Sequence, residues 1–525
     1  MKGFQRVAAK KKARFLVYRK KVEEQKKTEL KMMEDDQKST GSLSEDRDSL
    51  TQHSLIGTLI HRRYLILKFL GKGSYSRVWL AHDFVNQKYV AIKIFYPEDY
   101  DDSQDEIKIM KDLGNDSFHR VKMYEKFDYH DNGSRHSCIV YELLGMSLLD
   151  ILSPYENRLP LEDVKTMVRE ILVSMNDYYQ RGIIHTDVKL ENMLTKHFSK
   201  EMQDFTGWFD SLDVDSKYDD LVNAELPDQY ESYNYDKKKK VRKKIKQRIL
   251  PKLVEDLHTK LSDHFNEFHD LEVDLDKLED QTDKEDQTDK EDQTDKDDQT
   301  DKEDQTDKED PELEDVNLEE LETPDLETYK SQVDPLPKCP SDLKVVFTDF
   351  GNACHKNDIY EDKIQHRAYR PPENVIGNNF DQESDLWSLG CIIFEIITNR
   401  VLFPVEGDTA LERNRDHLSL MYSILGNMPL KMTQDCEDSI ELFNRDGGIL
   451  KHPEIEITET SIEQEIVRYR TDLSDEDLKE TASFIRLMLN YNPKERPSPL
   501  ELLNQKWLKP DDPNALHTIT STQDI

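Results

Sequence analysis

The sequence predicts an α+β fold of two lobes, a β-rich lobe followed by a helical one, with a long charged insert inside the helical part. Short β-prone runs separated by Gly or Asn turns predict the first lobe. Apolar residues at helical spacing from Leu161 to Gln180, between Pro160 and Gly182, open the second lobe. Strands followed by helices, without regular alternation, favour an α+β architecture. The β-prone runs are Tyr64–Leu70, Arg77–His82 and Tyr89–Phe95.

The composition indicates a globular part diluted by solvated segments. Hydrophobic residues make up 36% of the 525 residues and charged residues 35%, with a formal net charge of −36. This charge disfavours direct binding to nucleic acid or to an anionic membrane and favours basic partners. We therefore expect no nucleic-acid partner and no membrane association.

The cysteines indicate a reducing compartment. Five cysteines are scattered along the chain without a CxxC pair, which fits neither a disulfide framework nor a zinc site. The first residues have no apolar core of a signal peptide, and the best apolar run, Cys391–Thr398, is too short to span a bilayer. We expect an intracellular protein of the cytoplasm, the nucleus or both.

These signals divide the chain into five parts. Residues 1–60 form a basic, polar arm that we expect to be disordered, and residues 61–196 the β-rich lobe with the start of the helical lobe. Residues 197–340 form the charged insert, 341–510 the remainder of the helical lobe, and 511–525 a polar tail. The arm is either a frayed, solvated segment or a nuclear-import or docking arm.

The insert contains repeats whose period matches neither a helix nor a strand. A basic run at Lys237–Arg248 precedes five hexads of the form EDQTDK, from Glu279 to Lys308. A six-residue period with almost nothing apolar predicts a disordered, low-complexity chain. Two interpretations stay open: inert filler, or a regulator in which the basic run and the acidic repeats attract each other or a partner.

A glycine-rich run lies between two predicted strands. In GKGSYSRV the glycines allow backbone N–H groups to approach phosphate oxygens without obstruction by a Cβ atom. Because the run leads into a strand and not a helix, it argues against a dinucleotide-binding fold. The candidate ATP-binding residues here are Gly71, Lys72, Gly73, Ser74, Tyr75, Ser76, Arg77 and Val78.

A lysine follows in the next predicted strand, in the run VAIK that ends at Lys93. Protein kinases use a strand lysine at this spacing to neutralise the α- and β-phosphates of ATP and to pair with a helix glutamate. The candidate glutamate is Glu106, in the run QDEIKIM.

Two further motifs lie about 150 residues apart and yet predict one site. In HTDVKLEN, Asp187 would accept or orient the substrate hydroxyl proton, Lys189 would contact the transferred phosphoryl group, and Asn192 would bind metal. In TDFG, Asp349 would hold the magnesium ion that bridges the β- and γ-phosphates. Both motifs must lie close together, so the insert is looped out of a single active site.

The residue before the catalytic aspartate is unusual. Thr186 stands where an arginine commonly receives an activation-segment phosphate, and the segment Asp349–Glu373 contains no Ser or Thr. The hypothesis is that the enzyme is constitutively active and needs no phosphorylation of this segment.

At this point the chain resembles the SR-protein kinase (SRPK) family, within the CMGC group of kinases, over residues 60–510 apart from the insert. The family has its own divergent spacer at the position of that insert. The matching runs include SYSRVWLAHD, IVYELLGMSLL, IIHTDVKLENML, TDFGNACH, SDLWSLGCIIFE and LNYNPKERPSPLELLNQKWL.

The resemblance implies a bilobal protein-kinase fold that uses ATP and Mg²⁺ to phosphorylate serines of arginine/serine-rich proteins. Two hinge residues would offer backbone groups to adenine, namely Glu142 and Leu144. Glu373 would pair with Arg496, and Asp385 would brace the catalytic loop. The residues expected to enclose adenine are Leu70, Val78, Ala91 and Leu194.

Some positions depart from the family pattern. Asp416 matches an acid of the groove that docks arginine-rich substrates, but Ser423 stands where a second acid is expected. Phe350 replaces the usual leucine, and Pro371-Pro372 resembles other CMGC kinases. The favoured interpretation is an active, monomeric serine/threonine kinase of SRPK type. The alternatives are a Clk-like CMGC kinase with another substrate, or a pseudokinase scaffold that works through its spacer.

Overall fold

The computed structural model describes residues 55–73, 75–131, 133–153, 159–285, 342–357, 364–434, 439–444 and 459–509. Within these ranges, the side chains of 266–285 and 439–440 are left aside. Backbone contacts divide the chain into two units, Met1–Leu55 and Ile56–Ile525, and every element below belongs to the second. The basic arm before residue 55, the acidic repeats after residue 285 and the tail after residue 509 lie outside the description.

The first lobe is built on one six-stranded antiparallel sheet with the order β1-β2-β3-β4-β6-β5. The three predicted strands are confirmed, each one or two residues longer than predicted. One helix, α1, follows β4. The elements are β1 (Leu59–Ile60), β2 (Tyr64–Lys72), β3 (Ser76–Asp83), β4 (Lys88–Phe95), α1 (Asp102–Leu113), β5 (Met123–Asp131) and β6 (Ser134–Glu142).

The remainder of the chain is mainly helical, which confirms the α+β, two-lobed architecture. Two pairs of short strands, β7 with β10 and β8 with β9, link its two halves. Up to the insert the elements are α2 (Leu148–Leu152), α3 (Leu161–Tyr179), β7 (Ile183–Ile184) and β8 (Met193–Thr195). The insert contributes α4 (Lys200–Ser211), α5 (Val214–Ala224) and α6 (Tyr235–Glu285). After it come β9 (Val345–Phe347), β10 (Cys354–His355), α7 (Pro372–Val375), α8 (Glu383–Thr398), α9 (Ala410–Leu425), α10 (Leu430–Gln434), α11 (Ser439–Leu442), α12 (Ile462–Val467), α13 (Asp475–Met488) and α14 (Pro499–Leu503).

Helix boundaries follow local capping chemistry. Helix α9 begins at Ala410. Thr409 and Glu412 form a capping box there, each side chain accepting a backbone N–H that the first helical turn leaves unpaired. At the end of α3, Gly182 adopts a φ of +71°, which a side chain would disfavour.

A buried ion pair connects two distant parts of the helical lobe. Arg496 donates two hydrogen bonds to Glu373, of 2.8 and 2.7 Å, and both side chains are almost fully enclosed. The same guanidinium lies 5.1 Å from the ring centroid of Trp387 in α8. Because Glu373 is in α7 and Arg496 lies just before α14, the pair ties the activation-segment side of the lobe to its far end. This is the pairing that the resemblance implied.

The insert is folded over its first part, so the prediction of a disordered chain from residue 197 is wrong for 199–265. The charge-rich composition concealed an apolar stripe at helical spacing. In α4 and α5 the stripe contains Phe205, Phe209, Tyr218 and Val222, and in α6 an apolar residue recurs every fourth position. The buried residues of that α6 stripe are Ile245, Ile249, Leu253, Leu257 and Leu261.

The apolar stripes of these three helices pack against the sheet of the first lobe. They form one hydrophobic cluster with Leu65, Leu67, Leu80 and Phe84 of β2, β3 and the turn after β3; we call it the insert cluster. Polar contacts border it on the same side of the sheet. Tyr89 donates a 2.6 Å hydrogen bond to Asp210, and His82 lies 2.9 Å from Asp215.

No helix within the described ranges combines the length and apolar character needed to cross a membrane.

Replacing Phe209 with alanine should loosen the insert from the sheet. Phe209 is 2% exposed inside the insert cluster, and truncating a buried Phe costs about 3–5 kcal/mol. We expect amide hydrogen exchange in α4, α5 and β3 to accelerate by roughly 100-fold or more in the full chain. Leu221→Ala is the matched control, since Leu221 is 46% exposed on α5 and its truncation should leave exchange near the wild-type rate. Equal, small effects of both substitutions would show that the insert does not fold on the sheet.

Candidate active site

The glycine-rich run forms a tight hairpin between β2 and β3. Gly71 pairs with Val78 and Lys72 with Arg77, and the N–H of Gly73 donates a 2.9 Å hydrogen bond to the carbonyl of Ser76. A Cβ atom placed on Gly71 would have no neighbour within 4 Å, so its backbone borders open space. Ser74, at the tip, lies outside the described residues. Contact of this hairpin with the phosphates of ATP stays a prediction.

Strand register decides which side chains of the hairpin face the cleft. Val78 pairs with Lys93 across β3 and β4, so the two side chains are on the same face of the sheet. Arg77 is one residue away and therefore on the opposite face, where its Nε donates a 3.3 Å hydrogen bond to the hydroxyl of Tyr96. Only the backbone of Arg77 therefore stays a candidate for contact with ATP.

Lys93 is held between two carboxylates that come from different parts of the chain. Its Nζ donates to Glu106 of α1 at 2.7 Å and to Asp349 at 2.6 Å. Burial alone would lower the pKa of Lys93, but the two carboxylates outweigh it and raise the pKa above its usual value. The same lysine holds the pKa of Asp349 below its usual value. At neutral pH the site thus contains an ammonium between two carboxylates.

A tyrosine of β6 completes this group. The hydroxyl of Tyr141 in β6 donates a 2.6 Å hydrogen bond to the second oxygen of Glu106. Burial, and then the neighbouring carboxylate, raise the pKa of Tyr141 well above its usual value, so it stays a donor. Glu106 is therefore positioned from two sides before any ligand binds.

The catalytic loop brings its three predicted residues together. Asn192 donates through Nδ2 to both the backbone carbonyl and the Oδ2 atom of Asp187, at 2.9 Å each. Lys189 lies 2.7 Å from the same carboxylate, which raises the pKa of the lysine against the opposing effect of burial. Because Nδ2 is used in these bonds, the Oδ1 atom of Asn192 stays available as a ligand.

The residues fit a magnesium ion bound together with ATP. Mg²⁺ prefers oxygen ligands and is usually held by one or two protein groups plus phosphate oxygens and water. Asn192 offers an amide oxygen and Asp349 a carboxylate that is 46% exposed towards solvent. Asp349 itself adopts a left-handed backbone with φ of 61°, a conformation seen often at functional sites.

A buried aspartate holds the catalytic loop in place. The carboxylate of Asp385 in α8 accepts the N–H groups of His185, at 2.7 Å, and Thr186, at 3.1 Å. Thr186 has a φ of +66°, which is unfavourable for a β-branched residue. The two hydrogen bonds to Asp385 stabilise this strained turn immediately before the catalytic Asp187. The bracing role that the resemblance implied for Asp385 has this geometry.

Thr186 contacts the activation segment directly. Its hydroxyl donates a 2.9 Å hydrogen bond to the carbonyl of Asn352, and its own carbonyl accepts the N–H of Gln365 at 2.6 Å. Gln365 was not identified from the sequence. Its side chain accepts the N–H of Val188 and donates to Asp385, at 2.8 and 2.6 Å. Neutral groups thus join the catalytic loop to the activation segment on both sides of residues 358–363, which lie outside the description.

The predicted adenine-contacting residues divide between two clusters. Leu144 lies in the main hydrophobic core, with Ala91 and Leu194 packed against it. Leu70 packs instead against the insert cluster. Glu142 adjoins the hinge, where its backbone N–H donates a 2.9 Å hydrogen bond to the carbonyl of Lys122. The insert therefore packs against one of the residues that were predicted to enclose adenine.

Asp416, the residue predicted to dock the substrate, accepts a hydrogen bond within the protein. The carboxylate of Asp416 accepts the backbone N–H of Glu406 at 2.7 Å, which fixes the loop before α9. Ser423, two turns further along α9, donates its hydroxyl to the carbonyl of Ser419 at 2.9 Å. One carboxylate of the expected pair is thus present, and the second position offers only a hydroxyl.

Comparison with known proteins gives a consistent result. The sequence profile of the protein kinase domain matches residues 64–221 and 339–508, and the unmatched stretch between them lies in the insert. Protein kinase dsk1 of Schizosaccharomyces pombe is 24% identical, covering 86% of this chain and 81% of the relative. SRSF protein kinase 3 of mouse is 26% identical, covering 87% and 88%. A putative serine/threonine-protein kinase, L205, of Acanthamoeba polyphaga mimivirus is 27% identical, covering 90% and 92%.

Solved structures show the same fold. The crystal structure of the PF14_0431 kinase domain superposes with a TM-score of 0.51 at 21% identity, covering 86% of this chain and 97% of that one. At this identity the likeness concerns the fold alone.

Proposed function

The chain belongs to the protein kinase family, and we propose that it transfers the γ-phosphate of ATP to serines or threonines of basic, arginine/serine-rich proteins. Its relatives are serine/threonine kinases of SRPK type, and it is an enzyme of that class. The observation that carries the proposal is the closed contact of Lys93 with Glu106 and Asp349, since it unites residues from both sides of the insert. The pairing of the strand lysine with the helix glutamate is required for phosphoryl transfer by protein kinases.

Each residue of the site has a role set by its charge and position. Lys93 would bind the α- and β-phosphates, and Asn192 and Asp349 would hold Mg²⁺, which would supply neutralising charge to the phosphates. Asp187 orients the substrate hydroxyl and receives its proton. Lys189 stabilises the negative charge that develops on the transferred group. Positioning and charge neutralisation supply most of the rate enhancement, so no covalent intermediate on the protein is needed.

Two features support a basic substrate. One of the relatives is named SRSF protein kinase 3, and the net charge of this chain is −36. Asp416 supplies one carboxylate to the expected docking groove. Ser423 at the second position favours a weaker arginine contact, and this observation supports the alternative of a CMGC kinase with a different basic substrate. We further propose a monomer that acts in the cytoplasm, the nucleus or both.

The contacts of Thr186 support activity without phosphorylation of the activation segment. An arginine at this position would need a phosphate to balance its charge, whereas the threonine hydroxyl needs only the carbonyl of Asn352. Gln365 adds neutral hydrogen bonds to the same loop. The activation segment is thus held by hydrogen bonds of unmodified residues, without a phosphate group.

Replacing Asp187 with asparagine should abolish most phosphoryl transfer. Loss of the proton acceptor should lower kcat by about 10²–10⁴-fold, because general-base catalysis contributes that much. The measurement is transfer of labelled γ-phosphate to arginine/serine-repeat, serine-proline and acidic peptides. Asp475→Asn, on the exposed first turn of α13, is the matched control and should keep wild-type activity. Equal background transfer by wild type and Asp187→Asn would refute the enzyme assignment, and preference for the acidic peptide would refute the substrate class.

Phosphatase treatment should leave the activity unchanged, whereas Thr186→Val should lower it. Removing the hydroxyl leaves the Asn352 carbonyl without its donor, a loss of about 1 kcal/mol, which corresponds to roughly a 5-fold decrease in kcat/KM. Thr186→Ser keeps the hydroxyl and is the control that should retain activity. Loss of activity on phosphatase treatment would contradict activity without phosphorylation, and an unchanged Thr186→Val variant would contradict the role of the hydroxyl.

A further inference from the structure

The first half of α6 has an extreme local charge. Residues 237–252 contain ten lysines and arginines and no acidic residue, in a chain whose net charge is −36. This run was identified from the sequence, and the phosphotransfer site does not use it. The structure shows it as helix, packed on the first lobe through Ile245 and Ile249. The run is thus a fixed surface, and its cations can be sorted by what each one contacts.

Some of these cations stabilise the insert itself. Lys238 pairs with Glu231, Arg248 with Glu225, and both Arg242 and Lys246 with Asp219. Lys237 lies 3.6 Å from the ring centroid of Tyr233. These contacts occupy the sides of α6 that face α5 and the segment leading into α6.

Five lysines remain; Lys252 lies apart, and the other four lie together on the outer side of the helix. Lys239, Lys240, Lys243 and Lys244 are exposed, and within the described part of the chain none of them forms an ion pair. They lie at helical spacing, on the same side of the helix as the exposed Gln247; we call this set the lysine face. Lysines four positions apart repel each other on a helix surface, so the face carries unbalanced positive charge that an anionic ligand would stabilise.

The same chain contains an anionic segment of matching chemistry. Residues 286–310, which lie outside the described residues, contain thirteen acidic residues and four lysines, a net charge of −9. They contain no apolar side chain, so only charge and hydrogen bonding are available for their recognition. The lysine face likewise presents charge without an apolar pocket. The two chemistries are complementary.

The connection between them is long enough for contact within one molecule. About 60 Å of helix separates Lys244 from Glu285, at 1.5 Å per residue. The 25 residues of 286–310 can extend about 80 Å, so they can return along α6 to the lysine face. A tethered ligand has a high effective concentration, which favours it over a free anion of the same charge.

We propose that the lysine face of α6 docks the acidic repeats of the same chain, residues 286–310. The contact is electrostatic and exposed, so it weakens as salt screens it. It is independent of phosphoryl transfer, and its failure would leave the proposed function untouched. The basic run is therefore a surface for an internal ligand, and external anions must displace the repeats to reach it.

Photo-crosslinking tests the proposal on the full chain. A benzophenone amino acid replaces Gln247, on the same side of the helix and one turn after the lysine face, and equal amounts of ¹⁴N- and ¹⁵N-labelled protein are mixed before irradiation. Mass spectrometry of the digested adducts should place the cross-links in residues 286–310, within chains of a single isotope. We expect their yield to fall at least 5-fold in 0.5 M salt, as the Debye length shortens to a few ångströms.

Charge variants separate electrostatic docking from mere proximity. Replacing the four lysines with glutamine should lower the cross-link yield at least 5-fold, and replacing them with arginine should retain it. Cross-links that avoid 286–310, or that resist both salt and the glutamine substitutions, would overturn the proposal. Cross-links between ¹⁴N and ¹⁵N chains would also overturn it, because the occupant would then be a second copy of the protein.

Discussion

The catalytic geometry depends on the buried carboxylate of Asp385. It accepts two backbone N–H groups of the catalytic loop and the side-chain amide of Gln365, so one group fixes residues on both sides of the insert. Burial raises the pKa of Asp385, and the hydrogen bonds it accepts oppose that shift. The strained backbone at Thr186 is tolerable because these contacts determine it. Asp187, the next residue, is thereby aimed at the cleft.

The insert is located between two short paired strands, β8 and β9. Thr195, the last residue of β8, pairs with Val345, the first residue of β9, so the insert leaves and re-enters the fold between two hydrogen-bonded strands. The entropic cost of closing a loop rises only slowly with its length, so a long insertion at this hairpin costs little more than a short one. Its folded part then covers Leu65, Leu67 and Leu80 of the sheet. It also packs against Leu70, one of the residues predicted to enclose adenine.

The sequence was most informative where chemistry restricts residue type. Lys93, Asp187, Asn192 and Asp349 could be predicted because a metal-assisted phosphoryl transfer needs those groups in that order, and the structure brings Lys93 into contact with Asp349. Gln365 could not be identified, since a neutral amide has no local pattern and its role depends on tertiary contacts alone. The insert was misjudged for a related reason. In its helices a buried apolar residue recurs at every fourth position, and most of the residues between are polar or charged. The average composition of the segment does not reveal such a stripe.

The central claim is that residues on the two sides of the insert form a single nucleotide site. It is tested most directly by a double-mutant cycle of Lys93→Met and Asp349→Asn, with the Kd for Mg·ATP measured by calorimetry on the full chain. We predict that the two effects are not additive, with a coupling of about 1 kcal/mol or more, as for residues in direct contact. Effects that add within roughly 0.3 kcal/mol would show that the two residues do not share a site.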